Sequence, residues 1–169
     1  MTNDKTVYAR FTPIVFTWTS PANGDWDTDA NWTPNLAPRS NDTAVISSSV
    51  TVTLNTPADC ANVTLGNAAS TPTLTGTGTL TIRGNFAWAS GGMSGNGRTI
   101  VETGATLSLG NPTTLFLTGR TLENGGTASW TDAGVISMNS GAVITNRAGA
   151  LFHVLHAASF SSFSVVNPI

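Results

Sequence analysis

Short β-forming runs recur along this chain, and in several of them apolar and polar residues alternate strictly with a period of two. The runs begin with AVISS (44–48), VTVTL (50–54), ANVTLG (61–66), TLTIRG (79–84), FAWAS (86–90) and RTIVE (98–102). They continue in ATLSLG (105–110), TLFLTG (114–119), TASW (127–130), VISM (135–138), AVITN (142–146) and ALFHVL (150–155). Side chains on a strand point to opposite faces in turn, so each run reads as a short half-buried β-strand. Gly, Asn and Pro separate the runs and supply the turns. The pattern predicts an all-β protein.

The strands also carry a longer period. RTIVETGATLSL at 98–109 is nearly repeated as RTLENGGTASW at 120–130. Arg98 and Arg120, Glu102 and Glu123, Gly104 and Gly125, and Thr106 and Thr127 lie 21 or 22 residues apart. Gly66, Gly84, Gly104, Gly125 and Gly149 form a ladder of turns with steps of 18, 20, 21 and 24 residues, and Trp88 and Trp130 are 42 apart. A fixed step of about 20 residues is the signature of a solenoid, in which each repeat buries its apolar face against the next. The expectation is a right-handed parallel β-helix of about five coils, about 24 Å long at ~4.8 Å per rung. An antiparallel β-sandwich is the alternative, since it too uses short strands at regular intervals.

Four segments follow from this reading: an N-terminal arm (1–10), an aromatic-rich N-terminal cap (11–43), the β-solenoid (44–154), and a C-terminal cap or tail (155–169). An open solenoid leaves unpaired strand edges at its ends, and these need covering. Trp18, Trp26 and Trp32 are large apolar plates suited to lying across the first coil. The tail departs from the repeat but keeps Phe160, Phe163, Val165 and Val166.

The stretch from Trp18 through Gly24-Asp25-Trp26, Asn31-Trp32, Pro38 and Asp42 to Val45-Ile46 resembles the opening of β-solenoid regions in bacterial secreted and cell-surface proteins. These include autotransporter passenger domains and related adhesins; GTLTIRGNFAW and RTLENGGTASW are similar to their coil repeats. The resemblance spans roughly residues 16–154. It implies an extracellular or cell-surface location and a structural or adhesive role without catalytic residues. Self-association through the solenoid ends, into fibres, is the expected partnership, with a polysaccharide or cell-surface ligand as the other.

Composition narrows the partners. Charged residues are 9% of the 169, with 28 Thr, 16 Ser and 15 Asn supplying polarity in their place. Thr favours strands and Asn favours turns. The net charge of −2 and the lack of a basic run leave a nucleic acid nothing to bind. No apolar run approaches the ~20 residues of a membrane span, so membrane insertion is not expected. Cys60 is the single cysteine, which excludes an internal disulfide and a thiolate metal cluster and reads as a small buried hydrophobe. No phosphate loop or dinucleotide fingerprint occurs, and no cofactor is expected.

Three clusters are candidates for chemistry. Asp25, Asp27, Asp29 and Asn31 alternate in GDWDTDAN and could offer oxygens to calcium, although the EF-hand pattern fails at Ala30 and Leu36. A solvated turn is the plainer reading. Glu102 and Glu123, if stacked one coil apart, would stand ~4.8 Å from each other, close to the roughly 5–5.5 Å of a retaining glycosidase pair. Arg98 and Arg120 would stack likewise and neutralise them, so a polysaccharide-cleaving β-helix is the weaker alternative. His153 and His156 would share a face on a short capping helix, but lack further ligands nearby in sequence. Thr71, Thr73, Thr75, Thr77, Thr79 and Thr81 alternate as if along one solvent-facing strand.

Overall fold

Six successive strands begin at Thr43, Asn62, Asn85, Thr106, Thr127 and Leu151, and each lies parallel to and in register with the one before. They form one face of a three-sided β-solenoid, seen in a computed structural model that describes residues 12–110, 114–157 and 159–162. The proposed arm (1–10) and Phe163, Val165 and Val166 lie outside the described residues. Among the described residues face 1 holds eight strands, face 2 seven and face 3 five. The chain visits the faces in the order 1, 2, 3 through five full coils, then adds Leu151–Val154 to face 1 and Ser159–Ser162 to face 2. Part of the 155–169 segment therefore continues the solenoid. The antiparallel sandwich is overturned: among the described residues every strand pair is parallel except Val15–Trp18 with Trp32–Thr33.

The two-residue alternation fixes what each coil buries. On face 1, Ala44, Val63, Phe86, Leu107 and Ala128 point inward in one column. Ile46, Leu65, Trp88, Leu109 and Trp130 make the next, so the two tryptophans 42 residues apart do share a column. Each such side chain contributes ~1.5–3 kcal/mol by leaving water. The intervening residues face out, and apart from Val45 and Ala87 they are Thr, Asn and Ser. Asn62 Nδ2 donates to Thr43 Oγ1 (3.1 Å) and Thr106 Oγ1 to Asn85 Oδ1 (2.8 Å), which ties successive rungs on the outer face.

Corners decide the register, and here the sequence pattern needs correcting. Gly84, Gly104, Gly125 and Gly149 all occupy the corner from face 3 to face 1, whereas Gly66 follows Leu65 at the corner from face 1 to face 2. The corner from face 2 to face 3 has its own column, Gly76, Gly95, Gly119 and Gly141, with φ of 107°, 78°, 71° and 74°. At this corner the coils touch through backbone. A Cβ on Gly76 would lie 2.2 Å from the Leu54 carbonyl oxygen, and one on Gly95 2.5 Å from that of Gly76, so only glycine fits. The threonine run is also broken by this corner, because Thr73–Thr75 belongs to face 2 and Thr79–Ile82 to face 3. Ala58–Cys60 and Gly92–Ser94 were absent from the alternation pattern: three residues display a period only where their flanks extend it, as Val50 and Leu54 do for Thr51–Thr53.

Among the described residues the only helix is the 3-10 turn Asp29–Asn31, and no helix is long and apolar enough to cross a membrane.

Candidate functional site

The densest charged cluster stands on the outer side of face 3. Strand register pairs Arg98 with Thr121 and Ile100 with Glu123. Glu102 and Glu123 therefore do not stack, nor do Arg98 and Arg120, and the glycosidase-like pair is overturned. The cause is a coil of uneven step: 24 residues from Gly92 to Phe116 on face 2, 23 from Arg98 to Thr121 on face 3, 21 from Thr106 to Thr127 on face 1. Equal spacing along the sequence becomes equal register only where corners have equal length.

Glu123 is instead gripped by two arginines. Arg98 donates Nε (2.7 Å) and Nη2 to Oε1; Arg147 donates Nε (3.2 Å) and Nη2 (2.7 Å) to Oε2. Desolvation would raise the Glu123 carboxyl, but the hydrogen bonds and charges of Arg147 and Arg98 outweigh it and hold the group below its ordinary range. A carboxylate locked by two forks has no lone pair directed at a substrate; it serves as a staple joining the third, fourth and fifth coils. Arg147 was not singled out by sequence, because its partner is 24 residues away.

Arg120 turns inward and is fully buried at the glycine corner. Its guanidinium donates to Thr99 Oγ1 (2.9 Å) and to the carbonyls of Gly76 (3.3 Å), Ser94 (3.3 Å), Gly78 (3.0 Å) and Arg98 (2.9 Å). Burial pushes it down to about 10, and four carbonyl dipoles keep it charged at neutral pH. The space it fills exists because Gly97 has no side chain: a Cβ there would stand 2.6 Å from Nη1. Arg120 is a second staple, across three coil corners.

The acidic run is dispersed by its local structure. Gly24–Asp25 is a strand on face 2, while Asp29–Asn31 is a 3-10 turn. Asp27 Oδ2 accepts from the Thr56 hydroxyl, Asp29 Oδ1 from Ala37 N–H (2.8 Å), and Asn31 Nδ2 donates to the Asp25 carbonyl (3.0 Å). Among the described residues no group of three or more His, Cys, Asp or Glu is placed to hold a metal ion. His153 lies on the strand Leu151–Val154 and His156 beyond it; both are exposed, and the capping helix that would have brought them together does not form.

The two ends differ sharply. Trp18, Trp26 and Trp32 are buried, with Trp32 edge-on to the other two at ring distances of 5.2 and 5.0 Å. Trp32 Nε1 donates to the Trp26 carbonyl (2.8 Å), and the antiparallel strand Trp32–Thr33 pairs with the first edge of face 1. At the other end the inward columns finish on Phe160, 53% exposed, and Val154, 43% exposed. Among the described residues nothing pairs with the far edges of Val143–Asn146, Leu151–Val154 or Ser159–Ser162. A cavity of ≈ 390 Å³ opens there between Met138, Ile144, Asn146, Phe152 and Phe160.

A third feature is mid-rod on face 2, where Phe116 stands outward with Gly92 on the rung below it and Ser137 above. Sequence does betray it: in TLFLT the inward Leu115 and Leu117 force the phenylalanine between them outward. No family model, curated protein or solved structure matches this chain.

Proposed function

We propose that this chain is a non-enzymatic structural or adhesive module of the cell surface or extracellular space, a short rod that joins a second copy through its open C-terminal end. The observation that carries this reading is the contrast, among the described residues, between a tryptophan-sealed end and an open one. Unpaired strand edges beside an exposed apolar interior favour strand addition. The N-terminal end is shielded by buried tryptophans and a two-residue antiparallel strand on face 1, so two C-terminal ends meeting about a two-fold axis are favoured over head-to-tail stacking into a fibre.

Two further features support a place outside the cell. The resemblance of residues 16–154 to secreted solenoids points there. The lone thiol also suits an oxidising setting: burial, then the nearby Asp42 and Asp59, push Cys60 up to about 12, so it stays protonated and slow to oxidise.

Sedimentation velocity across a wide concentration range tests the proposal. A concentration-dependent dimer that Phe160→Asp abolishes is the expected result. Monomers at every concentration would remove the end-to-end reading, and filaments insensitive to Phe160→Asp would relocate the contact.

A further inference from the structure

The outer side of face 2 carries a groove of ≈ 400 Å³ with an aromatic wall and a hydroxyl rim. Phe116 is 49% exposed, although it sits mid-rod with paired strands on both sides. The other large exposed apolar residues lie near the two ends of the rod, whereas Phe116 has a paired residue on either side. The residue below it in the outward column is Gly92, and below that Thr73. Phe116 and Thr73 are thus two rungs apart, ~9.6 Å, with bare backbone between them. The gap is imposed: a Cβ on Gly92 would meet both the Cβ and the carbonyl oxygen of Phe116 at 3.1 Å.

Hydroxyls surround this gap. Thr73, Ser94, Thr114 and Thr118 line the groove, and all four are reached by solvent. None of the described residues that line the groove is charged. An aromatic face beside a few oriented hydroxyls, without charge, matches a ligand with an apolar face, many hydroxyls and no charge. A pyranose ring has those properties, and ring thickness plus stacking distance fits a two-rung gap. A second copy of this chain fits poorly, because the backbone groups of Gly92–Ser94 and Thr114–Thr118 are already paired to neighbouring strands and offer no edge.

We propose that this groove binds a pyranose unit of a neutral polysaccharide, stacked on Phe116 over Gly92. The site is separate from the open C-terminal end and does not depend on self-association.

Native affinity electrophoresis of the full chain tests it, in gels containing laminarin, hydroxyethyl cellulose, xylan or mannan, with polygalacturonate as the anionic control. Retardation is expected in at least one neutral polymer and not in polygalacturonate. Phe116→Ala should weaken it about tenfold, while Phe116→Tyr keeps it. Thermal midpoints of both variants should match the parent, since the ring is half in water. Retardation in none of the neutral polymers overturns the proposal, as does retardation unchanged by Phe116→Ala. So does equal retardation in polygalacturonate, or a Phe116→Ala variant whose only change is in sedimentation, which would make the ring a contact between copies.

Discussion

The two halves of this rod share an apolar interior but differ along face 3. In the lower half an inward column of face 3 runs Cys60, Ile82, Val101, and all three are completely buried. One and two coils further the same column becomes Asn124 and Asn146. Asn124 Nδ2 donates to Asn146 Oδ1 (2.7 Å) and to the Leu151 carbonyl (2.8 Å), while its Oδ1 accepts from Gly126 N–H (3.2 Å). The lower half is closed by tryptophan and packed with hydrocarbon. The upper half is stitched by amides and by the two arginine staples. A solenoid coil contacts only its neighbours, and here Asn124 and Glu123 bind residues of the coil above directly, so directional polar bonds tie the last coils to the rod. Among the described residues the apolar interior at the upper end stays uncovered.

The largest expected break in this contrast is Trp32→Ala. It empties the centre of the lid and removes the Trp26 carbonyl's donor, so a loss of ~3–5 kcal/mol is expected, about 10 °C in thermal midpoint by calorimetry. Arg120→Ala comes next, at roughly 2–4 kcal/mol, because four carbonyls and the Thr99 hydroxyl lose a buried donor. Hydrogen exchange should then quicken at the corner amides that close against those carbonyls, including Gly97 and Arg98. If exchange rises only at the N-terminal lid, Arg120 is not a staple.

Glu123→Gln should cost less, ~1–2 kcal/mol, since the Arg98 side chain is half exposed and solvent screens its charge. This substitution also predicts a pH dependence. The folded-state carboxyl lies below its ordinary value of 4.5, so its contribution is complete above that value and is lost as pH falls through the folded-state one. The thermal midpoint of the parent should therefore drop on acidification below about pH 4.5 more steeply than that of Glu123→Gln. Parallel curves would place the acid sensitivity elsewhere. The smallest effect on stability is expected from Phe160→Ser: within ~1 kcal/mol for the dilute monomer, because the ring already faces water. A cost as large as that of Trp32→Ala would mean that the upper end is sealed after all.

Much of this was legible beforehand, for definite reasons. Alternation in TLTIRG or ATLSLG specifies a strand and its buried face with no reference to the rest of the chain. The same holds for Trp18, Trp26 and Trp32, whose size and clustering before the first coil mark them for an end. Glu102, Glu123 and Arg120 were misjudged because stacking depends on the length of every corner between two copies. Gly92–Ser94 holds no period to read, because its flanks do not extend the alternation.

The sequence alone determined that this protein is a stack of short strands, which residues of each strand turn inward, and where the aromatic lid begins. Those properties are local, set by two-residue geometry and turn chemistry. Only the tertiary structure decided which side chains meet across coils: Glu123 with Arg98 and Arg147, Arg120 with the glycine corners, Phe116 with the gap over Gly92. Such meetings are fixed by register, and register sums the lengths of corners that each bend differently. The near-repeat at 98–109 and 120–130 shows both at once: its Thr106 and Thr127 stack, while its glutamates do not.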